Sequence, residues 1–124
     1  MTTLPTQVPT VGDDITPTFT ACTAADKFAA TGGKYILYYK SGASGAVAQI
    51  YALNPASAPA GTAPAAGTGG TNWADLRLAV AIGATTDAVC VIPDVSPYLD
   101  ATGFVNLKHN GTLTTVTVHV LGPL

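Results

Sequence analysis

The chain has 124 residues, enough for one domain whose core needs neither a metal nor a disulfide framework. Charged residues make up 10 % of it, against ~25 % in an ordinary soluble domain. The formal net charge is −2, and the five basic residues Lys27, Lys34, Lys40, Arg77 and Lys108 are dispersed, which excludes an electrostatic nucleic-acid footprint.

Residues 1–16 contain Pro5, Pro9, Gly12, Asp13 and Asp14 without periodicity, and read as an extended N-terminal arm. The first ten residues have no basic residue and no apolar core, so no secretory signal is expected, and synthesis in the cytoplasm is. Residues 17–23 alternate and form a candidate first strand, with Pro17 at its start, where proline is tolerated. Thr31-Gly32-Gly33 is a turn. The aromatic and β-branched run 34–40, bounded by glycines, is the strongest strand signal. A polar loop, Ser41-Gly42-Ala43-Ser44-Gly45, leads to a second run at 46–53, and the two runs are expected to form a hairpin.

Residues 54–71 are low in complexity: prolines among Ala, Gly, Ser and Thr, with no charge. Such a stretch buries too little apolar surface to offset its ordering entropy. It is expected either to be disordered or to lie as an ordered arm across a neighbouring subunit. From Trp73 to Ile82, Leu76, Leu78, Val80 and Ile82 alternate with Asp75, Arg77, Ala79 and Ala81, which fits a strand better than a helix. Residues 88–92 read as a short buried strand, and Pro93 to Pro97 as a proline-bounded connection. The last third reads as a hairpin about Asn110-Gly111, the dipeptide best suited to a type I′ turn. After it, Thr114, Val116, Val118 and Val120 face one way, and Thr115, Thr117 and His119 the other. The expected fold is therefore all-β: one antiparallel β-sandwich or jelly-roll-like barrel of about seven strands over residues 17–124, preceded by the arm.

No residue pattern calls for catalysis or a cofactor. His109 and His119 flank the expected hairpin turn and, if paired across strands, could in principle ligate a metal, but zinc needs three or four protein ligands and no spacing supplies the rest. Cys22 and Cys90 make no metal or disulfide pattern and read as small core residues, with a single bridge open only if their strands pair. Asp13-Asp14, Asp94 and Asp100 match no calcium loop and read as solvated turn residues. Gly67 to Thr71 lacks the lysine of a phosphate-binding loop. Tyr38 and Tyr39 point to opposite faces of one strand, so at least one of them should lie near solvent or an interface. No apolar run approaches ~20 residues, so no membrane span is expected.

Three stretches carry a resemblance: Thr2-Thr3-Leu4-Pro5-Thr6-Gln7-Val8-Pro9, then Pro17 to Ala21, then Lys34-Tyr35-Ile36-Leu37-Tyr38-Tyr39-Lys40-Ser41-Gly42. Together they resemble the small capsid decoration (cement, minor capsid) proteins of tailed phages that infect actinobacteria. In that family a T-L-P-x-x-x-P arm leads to an A-x-x-x-G-x-x-F-L-x-x-x-N-G strand and turn. Ile92 to Asp100 followed by Gly103-Phe104-Val105-Asn106-Leu107 resembles the family's G-P-F-P-x-x-x-Y-x-D connection into a last hairpin. Residues 54–74 are unmatched, Tyr39-Lys40-Ser41-Gly42 stands in place of the asparagine turn, and no phenylalanine lies between Pro93 and Pro97.

The resemblance implies a structural virion protein on the capsid exterior. Its partners would be the major capsid protein and copies of itself, most naturally as a trimer, without catalysis, nucleic acid or membrane. The arm residues Leu4, Pro5, Val8, Pro9, Val11 and Ile15 are then the expected partner contacts. Spread among prolines and threonines, they are expected to add more to binding than to folding. The alternative is a carbohydrate- or receptor-binding β-module of a tail fibre or surface adhesin.

Overall fold

The computed structural model describes residues 2–10, 12, 15–55, 73–75 and 82–124. Ten strands are assigned among them: β1 (Thr2–Leu4), β2 (Thr6–Gln7), β3 (Thr20–Ala21), β4 (Ala25–Ala29), β5 (Tyr35–Ser41), β6 (Ala46–Leu53), β7 (Trp73–Asp75), β8 (Asp87–Ile92), β9 (Phe104–Thr112) and β10 (Val116–Leu121). A single 3₁₀ turn, Ser96–Tyr98, follows Val95. The expected all-β sandwich is thus the observed class. Several strands have only two or three residues, which is why ten appear where about seven were expected.

The strands form two mixed sheets packed face to face as an open sandwich, not a closed jelly-roll barrel. The first sheet runs β1-β4-β9-β6-β7; the second runs β2-β10-β5-β8, with β3 also paired to β10. Their inner faces supply one core. Phe28, Val47, Ile50, Val105 and Leu107 come from the first sheet, and Tyr35, Leu37, Tyr39, Cys90, Ile92, Val116, Val118 and Val120 from the second. The sheets are not purely antiparallel, because β1 lies parallel to β4 and β2 parallel to β10.

Those parallel pairings correct the picture of the arm. Residues 2–7 are built into the fold: the chain adds an edge strand to one sheet, turns at Pro5, and adds a strand to the other. Leu4 is only 2 % exposed and belongs to the core cluster. One leucine on a paired strand can be a core residue even though its neighbours are Thr and Pro, because the pleat sends Leu4 inward and Thr3 outward.

Neither expected hairpin forms. β5 and β6 are consecutive but belong to different sheets, as do β9 and β10. Both connections are corners that cross the sandwich, and they interlock at one end. Gly42 N–H donates to the Thr115 carbonyl at 3.0 Å, and Val116 N–H closes the second corner on Leu113 at 3.1 Å. A Cβ on Gly45 would stand 2.7 Å from Val116 Cγ2, so glycine is what lets the corners nest. Asn110-Gly111 is not a turn, since β9 continues through it to Thr112. Gly111 instead faces a bulge in β6, where Val47 pairs with Gly111 and Gln49 with Asn110, leaving Ala48 extra. Gly111 has φ 139°, and a Cβ there would run into the Ala46 carbonyl and the Ala48 amide. The dipeptide serves close backbone approach rather than chain reversal.

The strand over 17–23 shrinks to β3, and β4 is an element that the sequence reading did not single out. The run 74–82 is seen only as β7 and an isolated bridge between Val47 and Ile82; residues 76–81 lie outside the described residues. The low-complexity stretch lies outside them too, apart from Asn54 and Pro55. Residues 88–92 form a strand as expected, but only Cys90 and Ile92 are buried.

Candidate functional site

Two features stand out: a buried polar cluster between the sheets, and the outer face of the second sheet.

The cluster is built around Asp26 and His109, two buried ionisable side chains on the inner face of the first sheet. The period of β4 turns Asp26 inward beside Phe28, and that of β9 turns His109 inward beside Leu107. Asp26 is 0 % exposed and His109 2 %. A carboxylate so placed is tolerable only when hydrogen-bonded. Its Oδ1 accepts from Thr2 N–H at 3.1 Å and from the Thr23 hydroxyl, and Oδ2 accepts from Thr23 N–H at 2.9 Å. His109 Nδ1 lies 3.3 Å from Asp26 Oδ2 and 2.9 Å from the Thr23 carbonyl. Its Nε2 meets the Tyr39 hydroxyl at 2.7 Å, which links the two sheets through the core. With the proton on Nδ1, His109 donates to Thr23 and Asp26 and accepts from Tyr39, satisfying every partner.

Burial alone would push Asp26 up. Hydrogen bonds from His109 and from the Thr23 side chain and backbone outweigh it and hold the carboxyl below its usual range. Cys22, also buried, lies beside this pair. Burial, reinforced by the Asp26 charge, pushes its thiol up to about 12. At neutral pH the sulfur is therefore protonated, which removes the nucleophilic character that a Cys–His–Asp triad requires.

The two histidines do not meet. His109 points into the core from the first sheet. His119 lies on the outer face of the second, with Nδ1 3.3 Å from the Thr18 carbonyl and its ring 5.8 Å from that of Phe19. Cys22 and Cys90 are both buried and are not joined in a disulfide, so the core-residue reading stands. Asp94 and Asp100 are turn carboxylates, as expected. Asp13 and Asp14 lie outside the described residues. The sequence reading missed Asp26, whose signal is faint: an acidic residue in phase with Phe28 on a short alternating run.

Asp100 ties the turn before β9. Its carboxylate accepts from Thr102 N–H at 2.8 Å, Phe104 N–H at 3.0 Å and Asn106 Nδ2 at 2.9 Å. Partial burial opposes the charge, but these bonds hold the carboxyl down at about 2. Because the folded pKa lies below the ordinary 3.8, its stabilisation is complete above about pH 4 and is lost as pH falls towards 2. Solvent screening keeps it to at most about 1 kcal/mol. In Asp100→Asn, urea midpoints should be lower than wild type at pH 6 and converge with it near pH 2. Parallel pH profiles for the two proteins would contradict this.

The outer face of the second sheet is apolar along one row. The register aligns Leu121, Ile36 and Val91 across three strands, and His119, Tyr38 and Val89 beside them. Val91 and Val89 are 47 % and 50 % exposed, and β8 ends the sheet among the described strands. Phe19 covers the far end of the face, 5.4 Å from Tyr38 in an edge-on contact, with the Lys40 ammonium 5.2 Å from its ring. Tyr39 is buried, whereas Tyr38 reaches the surface and donates to Asp87 at 2.9 Å, as the opposite-face reading expects.

Among the expected contact residues, Leu4 is buried, Pro9 and Ile15 are half-buried, and Pro5 and Val8 are exposed, Val8 by 58 %. Val11 lies outside the described residues. Leu4 thus leaves the set of partner contacts, because its side chain is already spent in the core. Among the described residues, no helix is long and apolar enough to cross a membrane.

These features define an all-β sandwich with a buried polar tie and an apolar row on one sheet face that is exposed at Val89 and Val91. Comparison with protein-family profiles, curated proteins and solved structures gives no match.

Proposed function

We propose that this protein is a structural component of a phage virion: a capsid decoration protein that binds the outer face of an icosahedral head and stabilises its capsomer contacts. The observation that carries the reading is the apolar row Leu121–Ile36–Val91 with Val89 on the outer face of the second sheet. A partly exposed apolar row of this kind suits docking on a protein shell. The low charge of the whole chain and the resemblance of its two ends to decoration proteins support it. The mechanism is mass action: a protein that binds assembled shell better than loose capsomers stabilises the shell, and symmetry multiplies modest contacts. The major capsid protein is the proposed partner, with copies of the chain, arranged as a trimer, meeting on the lattice. Val8 and Pro5 remain contacts the N-terminal segment can offer. The alternative, a sugar- or receptor-binding module, gains less support, since Tyr38 is met edge-on by Phe19 rather than left as an open stacking face.

Purified protein mixed with undecorated actinobacteriophage capsids should co-sediment with them. The Val89→Asp/Val91→Asp variant should bind at least tenfold more weakly, about 1.4 kcal/mol, with little change in thermal midpoint because both side chains are half exposed in the free protein. Wild-type protein that stays in the supernatant, or a variant that pellets equally well, would reject the reading.

A further inference from the structure

We infer that Cys22, Asp26 and His109 form a binding site for a zinc-like divalent cation that staples the β3–β4 segment to β9. The inference is independent of the capsid reading. One sulfur, one carboxylate oxygen and one imidazole nitrogen, all from buried residues, lie within 4.8 Å of one another. Tetrahedral zinc with bonds of about 2.0–2.3 Å places its donors roughly 3.3–3.8 Å apart. The His109 Nδ1 to Asp26 Oδ2 separation, 3.3 Å, already has that value. The Thr23 carbonyl oxygen, at 2.9 Å from Nδ1, lies closer than that spacing and becomes a fourth donor only by shifting outward; otherwise the fourth position is left to water.

Three further features suit a metal. Charge is the first: a thiolate, a carboxylate and a neutral imidazole around a dication sum to zero, which a buried site requires. Among the described residues no lysine or arginine pairs with Asp26, and Lys27, its neighbour in sequence, sits over the Phe104 ring at 4.3 Å. The remaining histidine nitrogen is the second. With Nδ1 on the metal, Nε2 carries the proton and donates to the Tyr39 hydroxyl at 2.7 Å, the outer partner that orients a ligating imidazole. Thr23 and Thr2 supply the third by fixing the carboxylate through their amides at 2.9 and 3.1 Å. Binding releases one proton to solvent, from the Cys22 thiol, while the His109 proton moves from Nδ1 to Nε2 and the imidazole stays neutral. The ligands come from separate segments of the chain, so no local spacing announces them.

The test is refolding of the full chain with one equivalent of Co²⁺ or Zn²⁺ after chelator treatment. Wild-type protein should bind one Co²⁺ with the intense visible bands of a tetrahedral site and a thiolate-to-cobalt charge-transfer band. Zn²⁺ should compete it away and raise the thermal midpoint by about 5 °C. Cys22→Ala, a small change outside the Asp26–His109 hydrogen bonds, should fold but lose the charge-transfer band and the Zn²⁺-dependent shift. A wild-type spectrum matching hydrated Co²⁺ would overturn the inference. So would bands that persist in Cys22→Ala, or a midpoint indifferent to Zn²⁺.

Discussion

In chelator-containing buffer, Asp26→Ala should lower stability by about 3 kcal/mol, the range for stripping one partner from a buried, hydrogen-bonded charge network. With a urea slope near 1.5 kcal/mol/M, the midpoint should fall by roughly 2 M. The carboxylate is 0 % exposed and accepts from Thr2 N–H, Thr23 N–H and the Thr23 hydroxyl beside His109. Alanine leaves the two amides without this acceptor and opens a void between β4 and β9. Asp26→Asn keeps one carbonyl oxygen for Thr23 N–H and should recover about half of the loss. Equilibrium urea unfolding followed by circular dichroism measures both variants. An Asp26→Ala midpoint within about 0.3 M of wild type would show that the network adds nothing to folding.

The second large effect is expected at the N-terminus. Leu4→Ala should cost about 2–4 kcal/mol, because it removes a side chain that is 2 % exposed within the core cluster. Deleting residues 1–7 should cost more, since it also removes β1 and β2 and uncovers the edges of β4 and β10. Leu4→Met, which conserves volume, should stay within about 1.5 kcal/mol of wild type. Val8→Ala, at a position 58 % exposed, should change stability by less than about 0.5 kcal/mol. Thermal unfolding of the four variants separates the built-in part of the segment from the part free to meet a partner. A deletion variant as stable as the full chain would return residues 1–7 to the role of a loose arm.

The fold class was legible because alternation is a local property. The runs 34–40, 46–53 and 116–120 must each present one apolar face, and enough such runs bounded by Gly and Pro leave only layered β architectures. The inward set within each strand was legible for the same reason: Val116, Val118 and Val120 are buried as their spacing predicts. Strand partners were not. A period of two says which face a residue takes but not which strand lies beside it, so a hairpin and a sheet-crossing corner look alike in sequence. Asn110-Gly111 carries the same ambiguity, since the conformational freedom that suits a tight turn also suits close approach to a bulge, and only the position of Ala48 decides between them.

By itself, then, the sequence determined the all-β class, the alternating faces of its main strands, the turn roles of Asp94 and Asp100 and the burial of both cysteines. Tertiary structure alone decided that Leu4 is core, that the two corners interlock at Gly42 and Thr115, and that Cys22, Asp26 and His109 converge. The physical reason is sequence separation. His109 bonds a carbonyl 86 residues away and a hydroxyl 70 residues away, and no local pattern encodes contacts that exist only once two sheets have closed on each other.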